Sequence, residues 1–167
     1  MKKKSHLVFW KGLGKSHYRE QLGIAAHLWA AHASYGMLPM YRLNVYVIPA
    51  LVHRQIGFVF DEYNNPVAYV VWGFIAPDVE PKIMAGLPIH PSEWNEGGRL
   101  WIVDFVAPFG NVREIVAFLR ATQFRDERSA CSFRRNRLNQ RGARIRVWDH
   151  LVATGRRRTI AMKGARG

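Results

Sequence analysis

Apolar positions change period several times along this chain, and each change marks an element. From His17 to Ser34, the residues Leu22, Ala25, Ala26, Trp29 and Ala33 recur at helical spacing, and Gly36 is placed to end the run. A second helix is predicted from Pro39 to His53. Pro39 suits a first helical turn, Leu43, Val47, Ala50 and Leu51 share one face, and Pro49 interrupts the backbone donors inside the run. Strand-like segments follow at Ile56 to Asp61 and Pro66 to Phe74. The Tyr63-Asn64-Asn65-Pro66 sequence between them is turn chemistry, so the two strands are read as a hairpin. Asp78 to Leu87 reads as a short helix or loop, and Trp94 to Gly98 as a turn. The stretch from Gly98 to Gly110 is apolar at nearly every position and stops at Pro108-Phe109-Gly110, the pattern of a buried strand. Beyond Gly110-Asn111 a helix is predicted through Phe124, with Val112, Ile115, Val116 and Leu119 on one face. Ser129 to Arg135 and Ala143 to Trp148 are further strand candidates.

This order implies an α+β fold of three layers, with a central, mostly antiparallel sheet flanked by helices. The expected organisation is a basic N-terminal extension over residues 1–16, one domain over 17–154, and a basic flexible tail over 155–167. The chain has 167 residues, of which 49% are hydrophobic, enough to bury a core. A single cysteine, Cys131, rules out an internal disulfide. The Met1-Lys2-Lys3-Lys4 start imitates a signal peptide, but the apolar run from Leu7 to Trp10 is too short for one, so the expected location is the cytoplasm. No apolar run approaches a membrane span, and no Cys-x-x-Cys, His-Glu-x-x-His or glycine-rich phosphate loop is present. The formal charge of +13, concentrated between Arg125 and Arg158, implies an acidic partner.

Within the Gly98–Gly110 strand lies one carboxylate, Asp104. On a pleated strand it shares a face with Leu100, Ile102 and Val106, so it is expected to be desolvated and its proton affinity raised unless donors or a cation compensate. A buried acid of this kind either anchors a loop or performs chemistry.

The segment Gly97-Gly98-Arg99-Leu100-Trp101-Ile102-Val103-Asp104-Phe105-Val106-Ala107-Pro108-Phe109-Gly110 resembles the signature of the RTX toxin-activating lysine acyltransferases, the haemolysin activators. Glu20-Gln21-Leu22-Gly23 with Leu28-Trp29, Ile48-Pro49-Ala50-Leu51, and Pro66-Val67-Ala68-Tyr69 with Trp72 resemble other blocks of that family in the same order, and Trp94 fits just ahead of the signature. The resemblance runs from residue 20 to residue 110 and more weakly through Trp148. It implies a fold similar to the Gcn5-related acetyltransferases, a cytoplasmic and often dimeric protein, and transfer of a fatty acyl group from acyl carrier protein to internal lysines of an RTX protoxin. It implies no metal or redox cofactor. The family's catalytic pair is a His at the end of the first helix and the Asp of the signature strand. Asp104 matches that Asp, whereas Tyr35 stands at the position of the His, with His32 three residues earlier and one turn away on a helix.

Attack by lysine on a thioester requires a neutral amine, and lysine's ordinary pKa is about 10.4, so a base must take a proton. Two arrangements fit. In one, His32 is the base, oriented by Asp104, and Tyr35 is an acid or hydrogen-bond donor. In the other, His32 drops out and Asp104 itself is the base. Arg99, Arg113 and the arginines from Arg125 onward are candidates to dock an acidic carrier protein. Two alternatives stay open: a family member impaired in catalysis that binds acyl carrier protein or protoxin, and a basic nucleic-acid-binding module using Phe124, Phe133 and Trp148 among arginines.

Overall fold

A computed structural model describes residues 7–11, 17–85, 87–134, 144–149 and 158–160. The element order is β1 (Val8–Lys11), α1 (Tyr18–Ala31), α2 (Tyr41–Val52), β2 (Ile56–Phe60), β3 (Pro66–Ile75), α3 (Glu80–Ala85), β4 (Arg99–Val106), α4 (Val112–Ala121), β5 (Ser129–Arg134), β6 (Arg144–Asp149) and β7 (Arg158–Ile160). A single 3-10 turn covers Pro91–Trp94. The fold is α+β, with mostly antiparallel strands accompanied by helices, consistent with the acetyltransferase-like architecture that the sequence implies. The chain divides into two compact units. One comprises Met1–Trp72 and Asp104–Asp126, the other Gly73–Val103 and Glu127–Gly167.

In the first unit β1, β2 and β3 form an antiparallel ribbon. The β2–β3 hairpin forms where the turn residues predict it. Asp61 Oδ1 accepts from the backbone N–H of Tyr63 at 2.9 Å and of Asn65 at 2.8 Å, and Asn64 takes the left-handed conformation at φ 63°. That conformation suits asparagine better than a branched residue. β1, which lies in the stretch expected to be an extension, pairs with β2, and the Phe9 ring covers Gly57, where any larger side chain would meet it. Helix α1 buries Gln21, Ala25, Leu28 and Trp29, so Ala25 and Trp29 of the predicted stripe are in the core, Leu22 and Ala26 are half-buried and Ala33 is exposed, and α2 buries Leu43, Val47, Ala50 and Leu51 as predicted. The two helices pack on each other, and α2 also meets β2. Pro49 lies inside α2, which still continues to Val52. Phe124 is buried edge-to-face against Trp72, with ring centroids 5.5 Å apart.

In the second unit β4 and β5 pair in parallel, from Leu100 opposite Ala130 to Ile102 opposite Ser132. Parallel neighbours need a long crossover, and α4 lies in the chain between them. β5, β6 and β7 pair antiparallel. Arg158–Ile160, within the stretch expected to be a flexible tail, forms β7. Trp101 Nε1 and Arg99 both donate to Glu80, at 3.0 and 2.7 Å, tying α3 to β4.

The adjacent glycines ahead of β4 differ sharply in their surroundings. A Cβ at Gly97 would overlap the backbone of Ile75 and Ala76, whereas at Gly98 it would meet open space. Gly97→Ala is therefore expected to destabilise the protein by roughly 2 kcal/mol or more, and Gly98→Ala by less than about 0.5 kcal/mol. Urea unfolding of the two variants measures the difference.

Candidate active site

The site is assembled within the first unit from the end of α1, the middle of β3 and the end of β4. Trp29 and Tyr69 occupy buried positions on α1 and β3 because both elements present those faces to the core. Asp104 lies two residues before the end of β4, where it and Phe105 occupy half-buried positions.

Three donors converge on the Asp104 carboxyl. The Tyr35 hydroxyl donates to Oδ1, the Phe105 backbone N–H donates to Oδ1 at 3.0 Å, and the Tyr69 hydroxyl donates to Oδ2 at 2.6 Å. Each favours the ionised form, as does the nearby His32, but burial is the largest influence and prevails, so Asp104 binds its proton more tightly than an ordinary aspartate. Burial and the adjacent Asp104 together push the Tyr69 phenol well above its usual range. Tyr69 therefore stays a neutral donor at any physiological pH. Trp29 Nε1 donates to the Tyr69 oxygen.

His32 sits just past α1 and does something different from the role expected of a base. Its Nδ1 accepts from the backbone N–H of Ser34 at 3.1 Å and of Tyr35 at 3.4 Å. Backbone amides only donate, so in the neutral ring the proton lies on Nε2 and that nitrogen is a donor too. The ring also meets Tyr35 edge-on, with centroids 5.0 Å apart, and Tyr35 in turn meets Trp29 at 5.2 Å. His32 thus shapes the turn that presents Tyr35. Among the described residues it shares no hydrogen bond with Asp104.

The structure brings Tyr35 and Asp104 into direct contact and places His32 beside Tyr35. It adds Tyr69 and Trp29, which sequence reasoning quoted as parts of a resemblance but did not assign to the site. Their only sequence signal was that resemblance, because a buried aromatic on a strand or helix is otherwise indistinguishable from core. Of the other candidates, Cys131 is buried in β5, and burial pushes its thiol up, which does not suit a nucleophile. Arg99 is engaged by Glu80, while Arg113, Arg125 and Arg128 are exposed. Phe133 and Trp148 have no described side chains, and Phe124 is buried, which removes it as a base-stacking surface. Among the described residues no group of three His, Cys, Asp or Glu side chains is arranged to hold a metal ion, and no helix is long and apolar enough to cross a membrane.

Comparison with known proteins gives the arrangement a family context. The sequence model of the HlyC, RTX toxin acyltransferase family matches residues 15–149. The chain is similar to the lysine-acyltransferase RtxC of Vibrio cholerae, 33% identical over 79 residues, which are 47% of this chain and 52% of that protein. It is similar to the leukotoxin-activating lysine-acyltransferase LktC of a Pasteurella haemolytica-like species, 32% identical over 101 residues, 60% of this chain and 61% of that one. It is similar to the protein-lysine myristoyltransferase HlyC of Escherichia coli, 29% identical over 109 residues, 65% of this chain and 62% of that one. The chain thus spans between 52% and 62% of the length of these relatives. The family match covers most of the chain, including every residue of the Asp104 cluster, and the chain belongs to the RTX toxin acyltransferase family.

Proposed function

We propose that this chain is a cytoplasmic protein-lysine acyltransferase that moves a fatty acyl group from the thioester of acyl carrier protein to lysines of an RTX protoxin. The observation that carries this reading is the carboxyl of the half-buried Asp104, desolvated, raised in proton affinity and hydrogen-bonded to the Tyr35 hydroxyl, within a chain of the acyltransferase family. The reaction needs a proton acceptor for the amine and a proton donor for the departing thiolate. A carboxylate whose pKa is raised toward neutrality is a better acceptor than an ordinary one. A phenol beside it can donate and be restored.

The lysine enters as the neutral amine, its first proton lost to solvent. Its nitrogen attacks the thioester carbonyl carbon, the C–N bond forms, and the second N–H proton passes to Asp104. The C–S bond then breaks, Tyr35 protonates the thiolate, and Asp104 returns a proton to Tyr35. Both side chains end as they began, and no resident cofactor takes part. Of the two arrangements open from sequence, the one with Asp104 as base is favoured, because His32 Nδ1 already accepts backbone N–H groups. The exposed Arg113, Arg125 and Arg128 suit an acidic carrier protein.

Mass spectrometry of a protoxin co-expressed with the chain tests the proposal. Lysine acylation is expected with the unaltered protein. Asp104→Asn should lower the rate by about 10²-fold or more, and Tyr35→Phe by about tenfold or more. Full activity in Asp104→Asn overturns the mechanism, and a folded chain that binds carrier protein or protoxin without acylating lysine supports the impaired-member reading.

Two pH dependences follow from the raised Asp104 value. The base must be ionised, so the rate should fall as pH drops through a midpoint above the ordinary aspartate value. Stability runs the other way. The fold favours neutral Asp104, so its contribution is fully present below the unfolded value of about 3.9 and is lost as pH rises through the folded value. Relative to Asp104→Asn, the wild-type chain should therefore be most stable in acid and lose that advantage toward neutrality, which thermal unfolding across pH measures.

A further inference from the structure

The cluster around Asp104 has a direction built into it. Trp29 Nε1 is a donor and nothing else, and it is aimed at the Tyr69 oxygen. Tyr69 has no exposed surface, so its hydroxyl hydrogen has no water to turn to. With Trp29 filling one side of the oxygen, that hydrogen is committed to Asp104 Oδ2 at 2.6 Å. A proton placed on Oδ2 would find no acceptor in Tyr69, whose hydroxyl already donates to that oxygen and accepts from Trp29. Making Tyr69 the acceptor would turn its hydrogen into buried surroundings or against the Trp29 N–H, leaving a polar group unpaired. The Phe105 N–H on Oδ1 cannot accept a proton either. Tyr35 alone among the three donors can reverse: its residue is half-buried rather than sealed, so its hydrogen can swing away while its oxygen accepts from Oδ1.

We infer that Trp29 and Tyr69 close one oxygen of Asp104 and so route both proton transfers of the reaction through the Tyr35 hydroxyl. The inference rests on the acyl-transfer reading only for what lies beyond Tyr35; the closure of Oδ2 is a property of the fold. In the first transfer the amine N–H proton passes to the Tyr35 oxygen while the Tyr35 hydrogen moves to Oδ1. In the second, Oδ1 returns its proton to the Tyr35 oxygen while the Tyr35 hydrogen moves to the thiolate sulfur. One proton has gone from nitrogen to sulfur, and Tyr35 and Asp104 are restored. Tyr69 and Trp29 touch no reacting atom and are positioning residues. They fix which carboxyl oxygen carries the proton and which neighbour receives it.

Tyr69→Phe removes the donor on Oδ2, and Trp29→Phe frees the Tyr69 hydroxyl to accept. Two readouts follow in the full chain. Infrared titration of the protonated Asp104 carboxyl, assigned by its loss in Asp104→Asn, needs no substrate. Its midpoint should move to higher pH in Tyr69→Phe, and its band should shift in Trp29→Phe as Oδ2 gains an acceptor. In acyl transfer, Tyr69→Phe should lower kcat roughly tenfold, with the acid limb of the pH–rate profile moved upward and KM for the acyl carrier protein within about twofold of wild type. A midpoint and band unchanged in both variants overturn the inference. If the infrared shifts appear but no lysine is acylated by the wild-type chain, the closed oxygen stands and the acyltransferase reading falls. If Tyr69→Phe fails to fold, the Trp29→Phe band decides alone.

Discussion

A carboxylate taken out of water among three hydrogen-bond donors is the constraint around which the first unit is arranged. Burial disfavours the charge on Asp104, and the hydroxyls of Tyr35 and Tyr69 with the Phe105 N–H oppose that effect without cancelling it. The balance leaves a group that can hold or release a proton nearer to neutral pH than a surface aspartate. Each donor comes from a different element, so the balance exists only when the end of α1, the middle of β3 and the end of β4 are in place together. A buried acid with these partners is far from a neutral choice for stability, since an apolar residue would avoid the desolvation altogether. Its presence is more economically explained by chemistry than by packing.

The supporting structure follows from ordinary core formation. α1 and α2 each bury one face, and Trp29 belongs to the buried face of α1 while its indole N–H reaches the site. Tyr69 plays the same double part on β3, where its ring meets Phe58 and its hydroxyl meets Asp104. Tyr and Trp suit such positions because an apolar body is joined to one polar handle. His32 then controls the path of the chain beyond α1 by accepting the Ser34 and Tyr35 amides, which sets where the Tyr35 ring stands.

Much of this was legible in the residues, for reasons that differ by element. The α2 face was readable because Leu43, Val47, Ala50 and Leu51 keep strict helical spacing. The hairpin was readable because Asn64, Asn65 and Pro66 are turn residues whose preferences act locally, whereas the part of Asp61 in the turn appears only in its hydrogen bonds. The α1 face was legible in part: Ala25 and Trp29 lie on it, but Gln21, a polar residue, is buried there too and carries no hydrophobic signal. Gly36 suggested where the first helix ends, yet the helix stops at Ala31, where the His32 side chain competes for backbone amides; such a bond leaves no trace in periodicity. β1 and β7 were passed over because short strands take their stability from a partner rather than from their own pattern. Asp104 stood out as the one carboxylate in a mostly apolar strand, and Tyr35 through its place opposite a family histidine. Tyr69 and Trp29 did not, since hydrogen-bond direction between buried aromatics is a three-dimensional property.

The central claim is that burial outweighs three donors at Asp104. A carbon-13 NMR titration of the wild-type chain labelled at aspartate carboxyls, with the Asp104 signal identified from its absence in Asp104→Asn, measures that balance without reference to any substrate. The account predicts a titration midpoint above the ordinary aspartate value of about 3.9. A midpoint at or below that value would contradict it.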